Sequence, residues 1–147
     1  SRSGPRTTFL VFAVIYALGI SLVGLFHGSQ ESADNGLAAL HVGGAGMAII
    51  GGNLAVITAG MSARRRTGST FYAPVSVALG VVGLVSLVML QVDSNTTAVD
   101  ILADGVWERL AVYPVTAWQL LTGVALLAHG RSRARTRLDP TTGTART

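Results

Sequence analysis

Apolar residues run almost unbroken through four stretches, 7–26, 37–60, 71–90 and 109–129, and polar residues collect between them. Each stretch is about 20 residues long, enough for a helix to cross the hydrocarbon core of a bilayer. A helix also satisfies its own backbone hydrogen bonds, which lipid cannot do. The pattern predicts an all-α protein: a four-helix transmembrane bundle within residues 1–130 and a basic tail over 131–147. The tail is rich in Arg, Thr and Gly, lacks apolar periodicity and is expected to be flexible. Thr7 to Phe26 is longer than the apolar core of a signal peptide, and the His27-Gly28-Ser29-Gln30 that follows is no cleavage site. The first span is therefore expected to be retained.

Charge sorts by loop. Arg2 and Arg6 precede the first span, Arg64, Arg65 and Arg66 separate the second from the third, and Arg131, Arg133, Arg135, Arg137 and Arg146 follow the fourth. Six of the seven acids sit in the alternate loops, Glu31 and Asp34, then Asp93 and Asp100, then Asp104 and Glu108 at the entrance to the fourth span, and only Asp139 breaks the pattern. By the positive-inside rule both termini are cytoplasmic, giving an N-in/C-in plasma-membrane protein. The pI of about 10.7 follows from these topological arginines, which lie against anionic lipid, and implies no nucleic-acid partner. With 50% hydrophobic and 12% charged residues, the chain leaves little for a soluble domain. The absence of cysteine excludes disulfides, cysteine-ligated clusters and thiol catalysis. No internal repeat supports an inverted-repeat transporter.

Small residues mark the faces on which the helices meet. In the second span His41, Ala45, Ala48, Gly52, Ala55 and Ala59 form one stripe, overlapped by Gly44-x-x-x-Ala48-x-x-x-Gly52. Ser76, Gly80 and Gly83 give the third span a shorter face of the same kind. Close backbone approach through small residues drives helix association in lipid, so the second span is expected to be central. Pro74 falls in the first turn of the third span, where a missing N–H costs little, and Tyr72 beside it suits the interface. Pro114 lies inside the fourth span and is expected to kink it, freeing a carbonyl near Leu110.

Polar groups at membrane depth point to a site, because they are costly there and face the bundle interior. Glu108, Val115, Gln119 and Thr122 share one face of the fourth span, flanked by Arg109 and Thr116. Asn53, His27 and His41 are expected to face this stripe, making a polar patch just below the outer surface. In the structural reading Asn53, Glu108 and Arg109 tie spans together, Gln119 joins the patch, and Tyr113, Pro114 and Trp118 shape the fourth span. Trp107 is read as packing or interfacial belt and His129 as a residue of the inner interface.

A sharper reading gathers His27, His41 and Glu108, with Glu31, Asp34 or Asp104 nearby, into a zinc site. Such a nitrogen and oxygen ligand set suits that metal and would activate water against a lipid headgroup ester. The histidines are fourteen residues apart, unlike the His-Glu-x-x-His spacing on a helix. A third reading makes Glu108 and His41 a proton relay in a small transporter.

The run Gly24-Leu25-Phe26-His27, Leu40-His41, Gly51-Gly52-Asn53-Leu54, residues 77–85 and above all Gly105-Val106-Trp107-Glu108-Arg109-Leu110-Ala111-Val112-Tyr113-Pro114, with Trp118 and Gly123, resembles a prokaryotic membrane family. That family is catalogued as domain of unknown function 998, and the resemblance covers roughly residues 22–127. Glu108-Arg109-x-x-x-Tyr113-Pro114 before a Trp is its specific part. Members of the family carry further hydrophobic segments before the matched part, so the resemblance implies its C-terminal four helices. Where members often have Phe-Pro, this chain has Phe26-His27. The family has no assigned activity, and the resemblance implies fold and topology without a reaction.

Together these features favour a small accessory or lipid-contacting subunit of a membrane complex over an enzyme. Its partners are membrane lipids and other membrane subunits or further copies of itself, with no required cofactor. A metal-dependent membrane hydrolase and a small proton-linked transporter are the alternatives.

Overall fold

The computed structural model describes residues 4–26, 36–67, 71–95, 102 and 104–138. Four helices make up the described chain: α1 Gly4–Leu25, α2 Leu37–Thr67, α3 Tyr72–Asn95 and α4 Asp104–Leu138. Each contains a stretch long and apolar enough to cross a membrane. The protein is an all-helical, multi-pass bundle.

Each helix overruns its predicted apolar stretch at one end or both, and two do so into basic sequence. The run Arg64-Arg65-Arg66 continues α2 to Thr67, and residues 131–138 of the expected flexible tail continue α4 as helix. Arginine and alanine are good helix formers, and basic residues suit the negative end of the helix dipole. Residues 139–147 lie outside the described residues. The α2 start is set by Gly36, whose φ of 72° lies in the left-handed region that favours glycine. At the other end of that loop, His41 donates Nδ1–H to the carbonyl oxygen of Phe26 at 2.7 Å, capping the last turn of α1.

Neighbouring helices pack antiparallel and in chain order, with α2 against all three others. Small residues on α2 let two neighbours approach at once. Towards α1, a Cβ added to Gly44 would come 2.6 Å from the Leu22 Cβ, and one on Gly51 would come 2.9 Å from the Tyr16 backbone nitrogen. Ala48 sits against Gly19, so this interface is backbone on backbone. Towards α3, Gly60 faces Ser76 and Ala73, Gly80 faces the Asn53 carbonyl and Ile57, and Gly83 faces the Asn53 side chain. Gly52 stands between Tyr16 of α1 and Val115 of α4.

The interior is consequently made of small and polar residues. Ala55, Val56, Ala73, Ala111 and Val115 are buried beside Asn53, Thr58, Ser76, Ser86 and Asp93, while valines and leucines such as Val14, Val88, Leu120 and Leu126 point outward. This distribution fits a lipid solvent, in which large apolar side chains gain nothing from burial and close packing decides association.

Gly19→Val is expected to lower stability by about 1–3 kcal/mol, because the added methyls meet the α2 backbone. Gly24→Val, with nothing within 4 Å of its added Cβ, is expected to melt with the unaltered protein. Thermal unfolding in a mild detergent, followed by circular dichroism, checks both.

Candidate functional site

The polar side chains of the interior form a series of bridges from one end of α3 and α4 to the other. The central bridge starts on α2. Asn53 is fully buried, and its Nδ2 donates to the Ile49 carbonyl one turn back at 2.8 Å and to the Ala111 carbonyl of α4 at 3.0 Å. Pro114 cannot donate to Leu110, four residues before it; the carbonyl that α2 engages is Ala111, one residue further along. Asn53 Oδ1 has no hydrogen-bonding partner and is pressed against Gly83, where an added Cβ would overlap it. The α-hydrogens of glycine are the nearest compensation such an oxygen has at a helix crossing, and weak Cα–H contacts of this kind are worth up to about 1 kcal/mol.

On one side of this bridge, Trp118 Nε1 donates to Ser76 Oγ at 3.0 Å, and Ser76 Oγ donates to the Tyr72 carbonyl at 2.8 Å. One helical turn beyond, the Tyr72 and Thr122 hydroxyls are 2.9 Å apart. On the other side, Trp107 Nε1 donates to Asp93 Oδ2 at 2.9 Å, and the Leu102 backbone N–H reaches the same oxygen at 3.4 Å. Asp93 is 5% exposed and lies in the last turn of α3. A carboxylate there opposes the helix dipole, so donors from α4 and its approach offset a local electrostatic cost. Hydrogen bonds to an ionised acceptor are the stronger kind.

The sequence placed Asp93 among solvated loop acids and the tryptophans among packing residues; the structure makes all three parts of the α3–α4 bridges. The signal for Asp93 was present. Ala73, Ser76, Gly80, Gly83, Ser86 and Asp93 recur at helical spacing, and all are buried. Extending the Ser76-Gly80-Gly83 face by three turns reaches the carboxylate.

Among the described residues the expected outer patch is not assembled. Gln119 Nε2 donates to the Tyr16 hydroxyl at 3.2 Å, Thr122 is taken by Tyr72, His41 caps α1, and Val115 is buried against Gly52. Arg109, expected to reach another span, donates to the Gly105 carbonyl of its own helix at 3.0 Å. Glu108 and Tyr113 are exposed, because the buried stripe of α4 runs through Ala111, Pro114 and Val115. These positions leave Glu108 and Arg109 on the outside of the bundle.

His27, Glu31 and Asp34 lie outside the described residues, as do the side chains of Asp104 and His129. Among the described residues no three His, Asp or Glu side chains gather as a metal site would require. A cleft of about 190 Å³ between the start of α1 and the later part of α2 is lined by Pro5, Thr8, Thr58, Met61 and Ser62. Its hydroxyls donate to carbonyls of their own helices, and its lining holds no acid or base to activate them.

No family model, no curated protein and no solved structure matches this chain.

Asn53→Ala is expected to cost about 0.6–2 kcal/mol, the range for interhelical hydrogen bonds in lipid, read as a lower midpoint in denaturant titration. In a Trp118→Phe background Trp107 is the sole tryptophan. There Asp93→Ala is expected to change the position of its fluorescence emission, whereas Asp93→Asn, which keeps an acceptor, leaves it closer to the starting value.

Proposed function

We propose that this chain is a small accessory subunit of a prokaryotic plasma-membrane complex, with both termini cytoplasmic, that contacts lipid and assembles laterally through its helix faces. The observation that carries this reading is the outward face of α4. Glu108, Arg109, Tyr113, Thr116 and Gln119 are all exposed on a helix long and apolar enough to span the membrane. Polar side chains at membrane depth are costly when they face hydrocarbon, so such a face is stable when protein covers it.

The interior supports the same reading. Hydrogen bonds from Asn53 to Ala111, from Trp107 to Asp93 and from Trp118 to Ser76 join helices. What these side chains do is hold a shape. The Glu108-Arg109-x-x-x-Tyr113-Pro114 segment supports kinship with the domain of unknown function 998 family, and the loop charges support the orientation.

Extraction from the native membrane into polymer-bounded lipid discs, followed by native mass spectrometry, tests the proposal. An assembly containing at least one further protein chain at fixed stoichiometry is the expected result. A lone chain carrying only lipid overturns it.

A further inference from the structure

The exposed face of α4 is self-complementary, and we infer that its partner is a second copy of this chain, docked α4 to α4 in a parallel two-fold pair. The inference rests on the subunit reading above and names the partner.

The seam is visible in the spacing. Gly105, Arg109, Val112, Thr116 and Gly123 follow one another at intervals of four, three, four and seven residues. That is the period of 3.5 that keeps one face of a helix against another in a left-handed pair. None of the five is buried, and around Gly123 an added Cβ would meet nothing within 4 Å. Glycine and threonine at a membrane seam let two helices approach closely.

Charge selects the partner. Glu108 and Arg109 are adjacent, exposed and opposite in sign, and neither makes an ion pair among the described residues. They point about 100° apart on one helix, so they do not reach each other. Two copies inserted in the same direction, related by an axis along the membrane normal, place these residues at equal depth. Each Arg109 then faces the partner's Glu108, and the pair occurs twice, as an isologous interface demands. An unrelated protein would have to supply an acid and a base at that depth independently. Symmetry supplies them from one sequence.

Arg109 gains most from the arrangement. It sits in the second turn of α4, near the positive end of the helix dipole, where a cation is disfavoured. Among the described residues it is also the one arginine at the end of the bundle opposite to the other arginines, so the positive-inside bias does not account for it. A carboxylate from across the axis offsets both.

The test uses the full-length chain in native membranes, where the absence of cysteine makes any introduced thiol unique. With Thr116→Cys, Val112→Cys or Gly123→Cys, mild oxidation is expected to give disulfide-linked dimers. Ala111→Cys and Val115→Cys on the buried face, and Leu10→Cys on exposed α1, are expected to give few. In the Thr116→Cys background, Glu108→Arg or Arg109→Glu alone is expected to lower cross-linking by roughly fivefold or more. The exchange carrying both substitutions is expected to restore it. Thermal melts of these surface variants, unchanged from the parent, separate lost docking from lost folding. Cross-linking that does not follow the α4 face, or an exchange that fails to restore it, overturns the inference. Native mass spectrometry keeps the two failures apart: a hetero-assembly removes the second copy while the subunit reading stands, and a lone chain removes both.

Discussion

The carboxamide of Asn53 is the contact on which the arrangement of α2, α3 and α4 depends. Within a bilayer no water is at hand to take a stray hydrogen bond, so a buried amide belongs where its donors find carbonyls and its oxygen is tolerated. Asn53 meets this by bonding Ala111 across to α4 while lying against Gly83 of α3. The described bridges between α3 and α4 keep a register consistent with this contact. Moving α4 along its axis by one residue would separate Trp118 from Ser76 and Thr122 from Tyr72 together. The unpartnered oxygen of Asn53 is accommodated because glycine, and no larger residue, stands opposite.

This gives the bundle two unlike halves. Between α1 and α2 the interface is nearly all backbone and small side chains, with Gly19, Gly44, Ala48 and Gly51 in close approach. Such contacts are weak individually, non-directional and intolerant of added bulk. Between α3 and α4 the contacts are directional hydrogen bonds, from two tryptophans to Asp93 and Ser76 and between the Tyr72 and Thr122 hydroxyls. α2 belongs to both halves, and 39% of its most apolar stretch is buried against 6% for α1.

The number of helices and their approximate extents were legible in the sequence because lipid imposes a single strong constraint on length and polarity. Helix ends were less legible. Hydropathy marks where lipid stops, whereas a helix such as α4 continues into arginine-rich sequence that has its own helical preference. The site was legible in composition and not in geometry. Asn53 could be singled out as polar and deep, and the Gly80 and Gly83 face by its spacing. Which carbonyl Asn53 would reach depended on the rotation of α4, and hydropathy does not fix rotation. The same gap explains Asp93: its type and position near a loop suggested water, and only the direction of α3's face places it inside. Glu108 and Arg109 fell outside for the complementary reason, lying off the stripe that α4 buries.

α2 and α4 are 31 and 35 residues long, or roughly 46 and 52 Å at a rise of 1.5 Å per residue. The hydrocarbon core accounts for about 30 Å of each. Since antiparallel neighbours alternate in direction, the C-terminal ends of these two helices emerge on the same side. α4 therefore continues as helix from the buried bridges, past Pro114, into an arginine-bearing extension beyond the length that the hydrocarbon requires. A displacement of that extension by anything in the aqueous phase is passed along one continuous helix, in which Pro114, where a backbone hydrogen bond is missing, is the place that yields first. The lipid-facing surface and the protruding end are thus parts of the same element, joined across a proline.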